Sequence, residues 1–114
     1  MVNRLTTQDY WRQAFGRIKL PKITRPAHDI YIRLEQNLPK SDKMSLIEIG
    51  CAPGGWMAFF NKHFGYSVSG IEYVEELAAI TRQNMEMQGI DAEVMNLDFL
   101  ESELPAASYD IIFS

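Results

Sequence analysis

Thiol chemistry is nearly absent from this chain, which has a single cysteine, Cys51. One cysteine cannot close an internal disulfide, so a disulfide-stapled scaffold is excluded and a reducing compartment, the cytoplasm, is expected. Histidine is almost as scarce. His28 and His63 have no partner in sequence, and no metal-ligand spacing is present, so no metal site is expected. No apolar run approaches the roughly 20 residues that span a bilayer. The opening residues, Met1 to Thr7, lack the apolar stretch of a secretion signal. Repeats and low-complexity segments are missing too. What remains is 114 residues, 46% hydrophobic and 23% charged, the make-up of one ordinary globular domain.

The net charge of −4 conceals an asymmetry. Residues 1–40 carry eight bases against three acids, and residues 41–114 carry three against twelve. The first part is therefore +5 and the second −9. The acidic whole argues against general nucleic-acid affinity. A basic loop holding Arg17, Lys19, Lys22 and Arg25 could still meet phosphates.

The rhythm of the chain changes at a polar connector around Pro39-Lys40-Ser41-Asp42-Lys43. Before it, two helices are expected, so residues 1–40 read as a helical extension. Thr6 or Thr7 can cap the first, with Tyr10, Trp11, Ala14 and Phe15 on its apolar side and Gly16 weakening its end. Pro26 suits the first turn of the second, whose stripe is Ala27, Tyr31, Leu34 and Leu38. After the connector, strands and helices alternate. Strands are expected at Leu46–Ile49, Tyr66–Ile71, Ala92–Met95 and Tyr109–Phe113. One helix begins at Pro53 and stops at Gly65. Another begins near Glu75 and Glu76, turns Leu77, Ile80 and Met87 inward, and closes at Gly89. Such alternation predicts an α/β fold with a doubly wound parallel sheet. The fourth strand is the most apolar segment and nothing follows to cover it. The chain therefore reads as the N-terminal part of a longer domain, and its fourth strand as a surface for self-association.

Chemistry concentrates where strands end. Glu48-Ile49-Gly50-Cys51-Ala52-Pro53-Gly54-Gly55 joins the first strand to a helix. Gly50 permits a sharp turn, and Ala52 and Gly54 leave room for a ligand near the backbone. Glu48 can accept hydrogen bonds or balance a cation. Glu72 ends the second strand at the offset where an acid meets ribose hydroxyls, and Tyr73 can lie against a purine. Asp98 and the Phe99 backbone follow the third strand and can read the edge of an adenine. Each has a plainer reading: a tight turn, a solvated acid, a turn-capping Asp. Three acids on one rim favour the ligand-binding reading. Cys51 reads as a small buried hydrophobe.

Residues 45–114 resemble the first half of a class I S-adenosylmethionine-dependent methyltransferase. The resemblance rests on Glu48, Gly50, Ala52 and Gly54, then Glu72, then Asp98, then Tyr109-Asp110. Ala52 stands where the family usually has a second glycine. The resemblance implies a Rossmann-like sheet of strand order 3-2-1-4 over residues 41–114, preceded by the two helices. It implies S-adenosylmethionine as cofactor. Gly50, Ala52 and Gly54 would line its methionine part and Glu48 would support its ammonium. Glu72 would take the ribose hydroxyls, Tyr73 would pack on adenine, and Asp98 with Phe99 would read its edge. Ser114 would sit near the cofactor's amino group. Tyr10, Trp11 and Tyr31 become lid candidates, although core packing is the role favoured for each. No catalytic residue is named by the pattern. A small-molecule acceptor is expected. The alternatives are an RNA acceptor, suggested by Cys51-Ala52-Pro53-Gly54-Gly55-Trp56, an NAD(P)-dependent oxidoreductase, and a fragment that holds cofactor without catalysis.

Overall fold

The computed structural model describes residues 8–15, 18–101 and 108–114, with the backbone alone at 11, 12, 14 and 15. From Ser45 onward, strand and helix alternate as their sequence rhythm requires. Strand β1 is Ser45–Ile49, β2 Ser67–Ile71, β3 Glu93–Met95 and β4 Ile111–Phe113. All neighbours pair parallel, in the order β3-β2-β1-β4. The sheet is the expected doubly wound arrangement. The register runs from Ser45 against Ser67 to Ile49 against Ile71, and from Leu46 against Ile111 to Glu48 against Phe113. Asp110 sets the last pairing. Its Oδ2 accepts from the Ser45 backbone N–H at 2.8 Å, and its own N–H donates to the Ser45 carbonyl at 3.0 Å.

The helices are α1 (Gln8–Phe15), α2 (His28–Asn37), α3 (Gly55–Phe59) and α4 (Glu75–Met87). Helix α3 continues as a π-helical turn, Phe60–Phe64, which Gly65 ends at φ 89°. Met57, Ala58, Phe60 and Phe64 pack from it onto Leu46, Tyr66 and Val68 of the sheet side. The rings of Phe60, Phe64 and Tyr66 lie 5.4 to 6.3 Å apart. The Tyr66 hydroxyl donates to the Pro39 carbonyl at 2.6 Å, which fixes where α2 hands over to the sheet.

Several boundaries differ from expectation. Pro26 lies outside α2, whose N-cap is Ala27. Helix α3 starts at Gly55, because Gly54 is its N-cap in the left-handed region at φ 97°. In α4 the inward face is Leu77, Ala78, Thr81, Asn84 and Met85, while Met87 is exposed. The helix turns two polar side chains, Thr81 and Asn84, toward the core where apolar periodicity had pointed to Met87. Strand β4 occupies an edge of the sheet with Ile112 outward. The expectations at Thr6, Thr7, Gly16 and Arg17, and for the side chains of Trp11, Ala14 and Phe15, lie outside the described residues.

Asn84 joins the two parts of the chain. Its amide is fully buried. Nδ2 donates to the carbonyls of Lys22 and Pro53, both at 2.9 Å. Oδ1 accepts from the Lys22 N–H and from Gln88 Nε2, both at 2.8 Å. Every hydrogen-bonding position of the amide is thereby filled. The segment it grips, residues 18–27, then lies across the start of α3, where the Thr24 N–H donates to the Gly55 carbonyl at 3.0 Å. An Asn84→Asp substitution keeps the shape but opposes a carboxylate to two carbonyls. We expect it to lower stability by about 3 kcal/mol and the melting temperature by more than about 10 °C. An unchanged thermal melt would show that the clamp contributes nothing.

Candidate functional site

Parallel strands end on one side, so Ile49, Ile71, Met95 and Phe113 all point the chain toward the same rim. Ligands of open α/β sheets bind there. The loop from β1 to α3 is folded back on that rim. The N–H groups of Gly50 and Cys51 both donate to the Ile71 carbonyl, at 2.9 and 3.2 Å. Gly50 turns at φ 72°, and a side chain added there would meet nothing within 4 Å. It therefore opens onto free space.

Gly54 has a packing duty that its spacing does not announce. It is buried, and an added Cβ would lie 2.9 Å from Met85 Cε and 3.0 Å from Thr81 Cγ2. Its missing side chain lets α4 close on the loop. Gly55 is tight for a similar reason, since its added Cβ would lie 2.5 Å from Thr24 Oγ1. Cys51 is buried, and Gly70 of β2 makes the space for its sulfur. Burial pushes the thiol up to about 12, so it is an inert packing group.

Two acids lie beneath this loop. Glu48 is 6% exposed, and its Oε1 has no hydrogen-bond partner among the described residues. Burial, and then the neighbouring Glu72 charge, push its carboxyl up to about 8. Glu72 is also raised by burial, against the pull of backbone donors. Its Oε1 accepts from the Ala52 N–H at 3.4 Å and its Oε2 from the Val74 N–H at 3.2 Å. Glu72 thus ties the β1–α3 loop to the β2–α4 loop. It is not the solvated acid of the plainer reading.

A cleft of about 170 Å³, large enough for a heteroaromatic ring, opens at the same strand ends, and neither Glu48 nor Glu72 lines it. Gly50, Tyr73, Asp98 and Phe99 line it, with Ile49, Ile71, Leu97 and Leu100. The four aliphatic walls were not singled out from the sequence, although they flank the acids at each strand end. Asp98 also caps a short 3₁₀ turn, Phe99–Glu101, accepting from the Leu100 N–H at 3.0 Å. Asn96, likewise missed, donates to the Glu72 carbonyl at 3.0 Å and steadies the end of β2. Ala52 is half-buried in the loop, and Ser114 is exposed just past β4 on the same rim. Helix α1 reaches the rim through Gln8, whose Nε2 donates to the Tyr73 carbonyl at 3.1 Å. Tyr10 is exposed, and Tyr31 packs on the core cluster away from this cleft.

The arrangement has an apolar slot for a flat ring, a buried acid with an unused oxygen, and an open glycine turn between them. Residues 46–114 match the family model described as "Methyltransferase domain". No curated protein matches the chain. Solved structures share its fold. One is geranyl diphosphate C-methyltransferase from Streptomyces coelicolor A3(2), in complex with Mg2+, geranyl-S-thiolodiphosphate and S-adenosyl-L-homocysteine. It aligns with a TM-score of 0.63 at 16% identity, over 74% of this chain and 31% of that one. An RNA methyltransferase from Salinibacter ruber, in complex with S-adenosyl-L-homocysteine, aligns at 0.63 and 16% identity, over 78% of this chain and 58% of that one. A tRNA methyltransferase from Aquifex aeolicus aligns at 0.63 and 24% identity, over 85% and 39%. The chain therefore spans less than two thirds of each of these proteins.

The glycines of the loop separate experimentally. Gly54→Ala meets both a left-handed backbone and α4, and should lower stability by about 2–3 kcal/mol. Gly50→Ala meets the backbone penalty alone, about 1 kcal/mol. Urea unfolding of the two variants checks the order, and equal losses would contradict the packing duty of Gly54.

Proposed function

The chain belongs to the methyltransferase domain family, and from that premise we propose that residues 41–114 bind S-adenosylmethionine on this rim for methyl transfer to a small-molecule acceptor. The observation that carries the reading is the buried Glu48 carboxyl with its unused oxygen beside an open glycine turn. A buried acid without a partner costs stability unless something cationic completes it. The cofactor's ammonium is such a group, so the residues present fit it. When bound, S-adenosylmethionine supplies an electrophilic methyl on a positively charged sulfur.

The chain's own residues then divide the work. Glu48 holds the ammonium, with Gly50 and Ala52 giving the backbone close approach and Gly54 keeping the loop seated on α4. Glu72 already accepts two N–H groups, and its remaining lone pairs face two ribose hydroxyls. Tyr73 and the aliphatic walls enclose the adenine. Asp98 and the Phe99 N–H read its edge, and Ser114 lies toward the cofactor's amino group. We infer that the described part of residues 1–40 serves as a helical cover, with α1 bonded to Tyr73 next to the ring slot. Exclusion of water and orientation of the acceptor are the catalytic contribution expected of such a cover. The residues named here hold the donor; none is assigned a proton-transfer role.

One observation favours a second acceptor class, RNA. Lys19, Lys22 and Arg25 are exposed along the segment that crosses the start of α3. A nicotinamide cofactor would leave Asp98 at the slot without a role, which argues against it. None of the described helices is long and apolar enough to cross a membrane. We place the protein in the cytoplasm on the strength of its lone buried thiol. Self-association through β4 accords with the outward Ile112 on that edge.

The test is calorimetric titration with S-adenosylhomocysteine and, in parallel, NADH. The first should bind and the second should not. The free Glu48 carboxyl holds its proton up to about pH 8. A cation bound beside it favours loss of that proton, so affinity should rise as pH climbs toward about 8, with proton release. Glu48→Gln should weaken binding about tenfold and abolish the rise. Stability carries the opposite sign. A raised acid stabilises fully below its ordinary range and loses that contribution as pH climbs through about 8. The unligated Glu48→Gln variant should therefore melt above the parent at high pH. A parent whose S-adenosylhomocysteine affinity is flat with pH would remove Glu48 from the ammonium site.

A further inference from the structure

The larger cleft of the molecule lies elsewhere. It has a volume of about 400 Å³, within the range of small-molecule sites, and it shares no lining residue with the slot at the strand ends. One wall is the clamped segment at Ile23, Arg25 and Pro26, another is Tyr31 of α2, and the third is the outer flank of α3 and its π turn. We propose that this cleft is a second binding site, for a flat aromatic molecule carrying a carboxylate or phosphate. The proposal is independent of the donor site at the sheet rim.

Three rings supply the flat surface. His63 stacks on Phe59 with centroids 5.3 Å apart and planes 9° apart, and Tyr31 tilts against His63 at 5.1 Å. Ile23 and Pro26 keep the opposite side apolar. Such walls favour a ring over a bare hydrated ion. Two cations, Arg25 and Lys62, stand at the cleft, and neither has a carboxylate partner among the described residues. One carboxylate, Glu35, stands nearby, and the two cations outnumber it. Glu35 is bonded by His63 Nε2 and by the Tyr31 hydroxyl, which together hold its carboxyl below its ordinary range. It fixes the two rings that face the ligand. The segment bearing Arg25 is itself held in place by Asn84 and by the Thr24 bond to Gly55, so the cleft is formed in advance.

The test is an NMR titration of the full chain with 4-hydroxybenzoate and, separately, uridine 5′-monophosphate. Saturating S-adenosylhomocysteine is included to fill the rim. The two probes share the ring-plus-anion chemistry and separate a carboxylate source from a phosphate source. At least one should bind saturably at about 1 mM or better, with shifts centred on the amides of Ile23, Thr24, Phe59 and His63. Phenol, the ring without the anion, should bind at least about tenfold more weakly. The double variant R25A/K62A should lose about tenfold in affinity for the anionic probe while keeping its S-adenosylhomocysteine affinity and its melting temperature. If neither probe binds, if the shifts fall on Gly50 and Tyr73 instead, or if the double variant binds as well as the parent, the proposal fails.

Discussion

A single buried amide holds the architecture together. Asn84 has no contact with water, so each of its donors and acceptors must be matched inside the protein. It finds Lys22 on one side and Pro53 on the other, and Gln88 completes the set. The basic segment is thus bound edge-on as an additional extended strand would be, although it joins no sheet. The loop that forms the site is bound by the same group. The placement of Lys22 and that of the glycine loop are consequently fixed by one group. Gly54 and Gly55 are small because this clamp draws α4 and residues 22–24 onto them.

The electrostatics of the rim follow from that closeness. Sealing the loop removes water from Glu48 and Glu72, and two acids that share a dry site cannot both ionise easily. Glu72 offsets its burial with backbone N–H groups. Glu48 keeps an unused oxygen, so its proton is the variable quantity of the site. A surface of net −9 over residues 41–114 draws cations toward the same place.

Much of this was legible in the residues. Four apolar runs at strand length, separated by helical spacing, dictate a parallel sheet, and the Tyr109-Asp110 pair announces β4 because Asp110 bonds Ser45. The acids at successive strand ends could be placed on one rim by topology alone. Gly50 was legible because an open turn after a strand has few other causes. The packing of Gly54 against α4 was not legible, since a glycine against a ligand and one against a helix share a spacing. Asn84 escaped because its value depends on residues 62 and 31 positions away. An interior polar residue on a helix looks like a solvated one until the partner segment is in view. Met87 was mistaken for core because apolar periodicity does not reveal that a helix end has outrun the sheet it covers.

The π turn at Phe60–Phe64 has a consequence for how the two clefts relate. Each helical residue advances by about 100°, so one extra residue in a turn shifts the phase of everything after it. Before the turn, α3 spends its inward face on the sheet through Met57 and Ala58. Within it, Phe60 and Phe64 still face inward, while His63 meets Glu35 of α2. One short helix therefore serves two neighbours whose angular demands an unbroken α-helix could not meet together. Its first half answers to the glycine loop and its second half to the extension, so a local rewinding of five residues would realign the outer cleft while the strand-end slot stayed where it is.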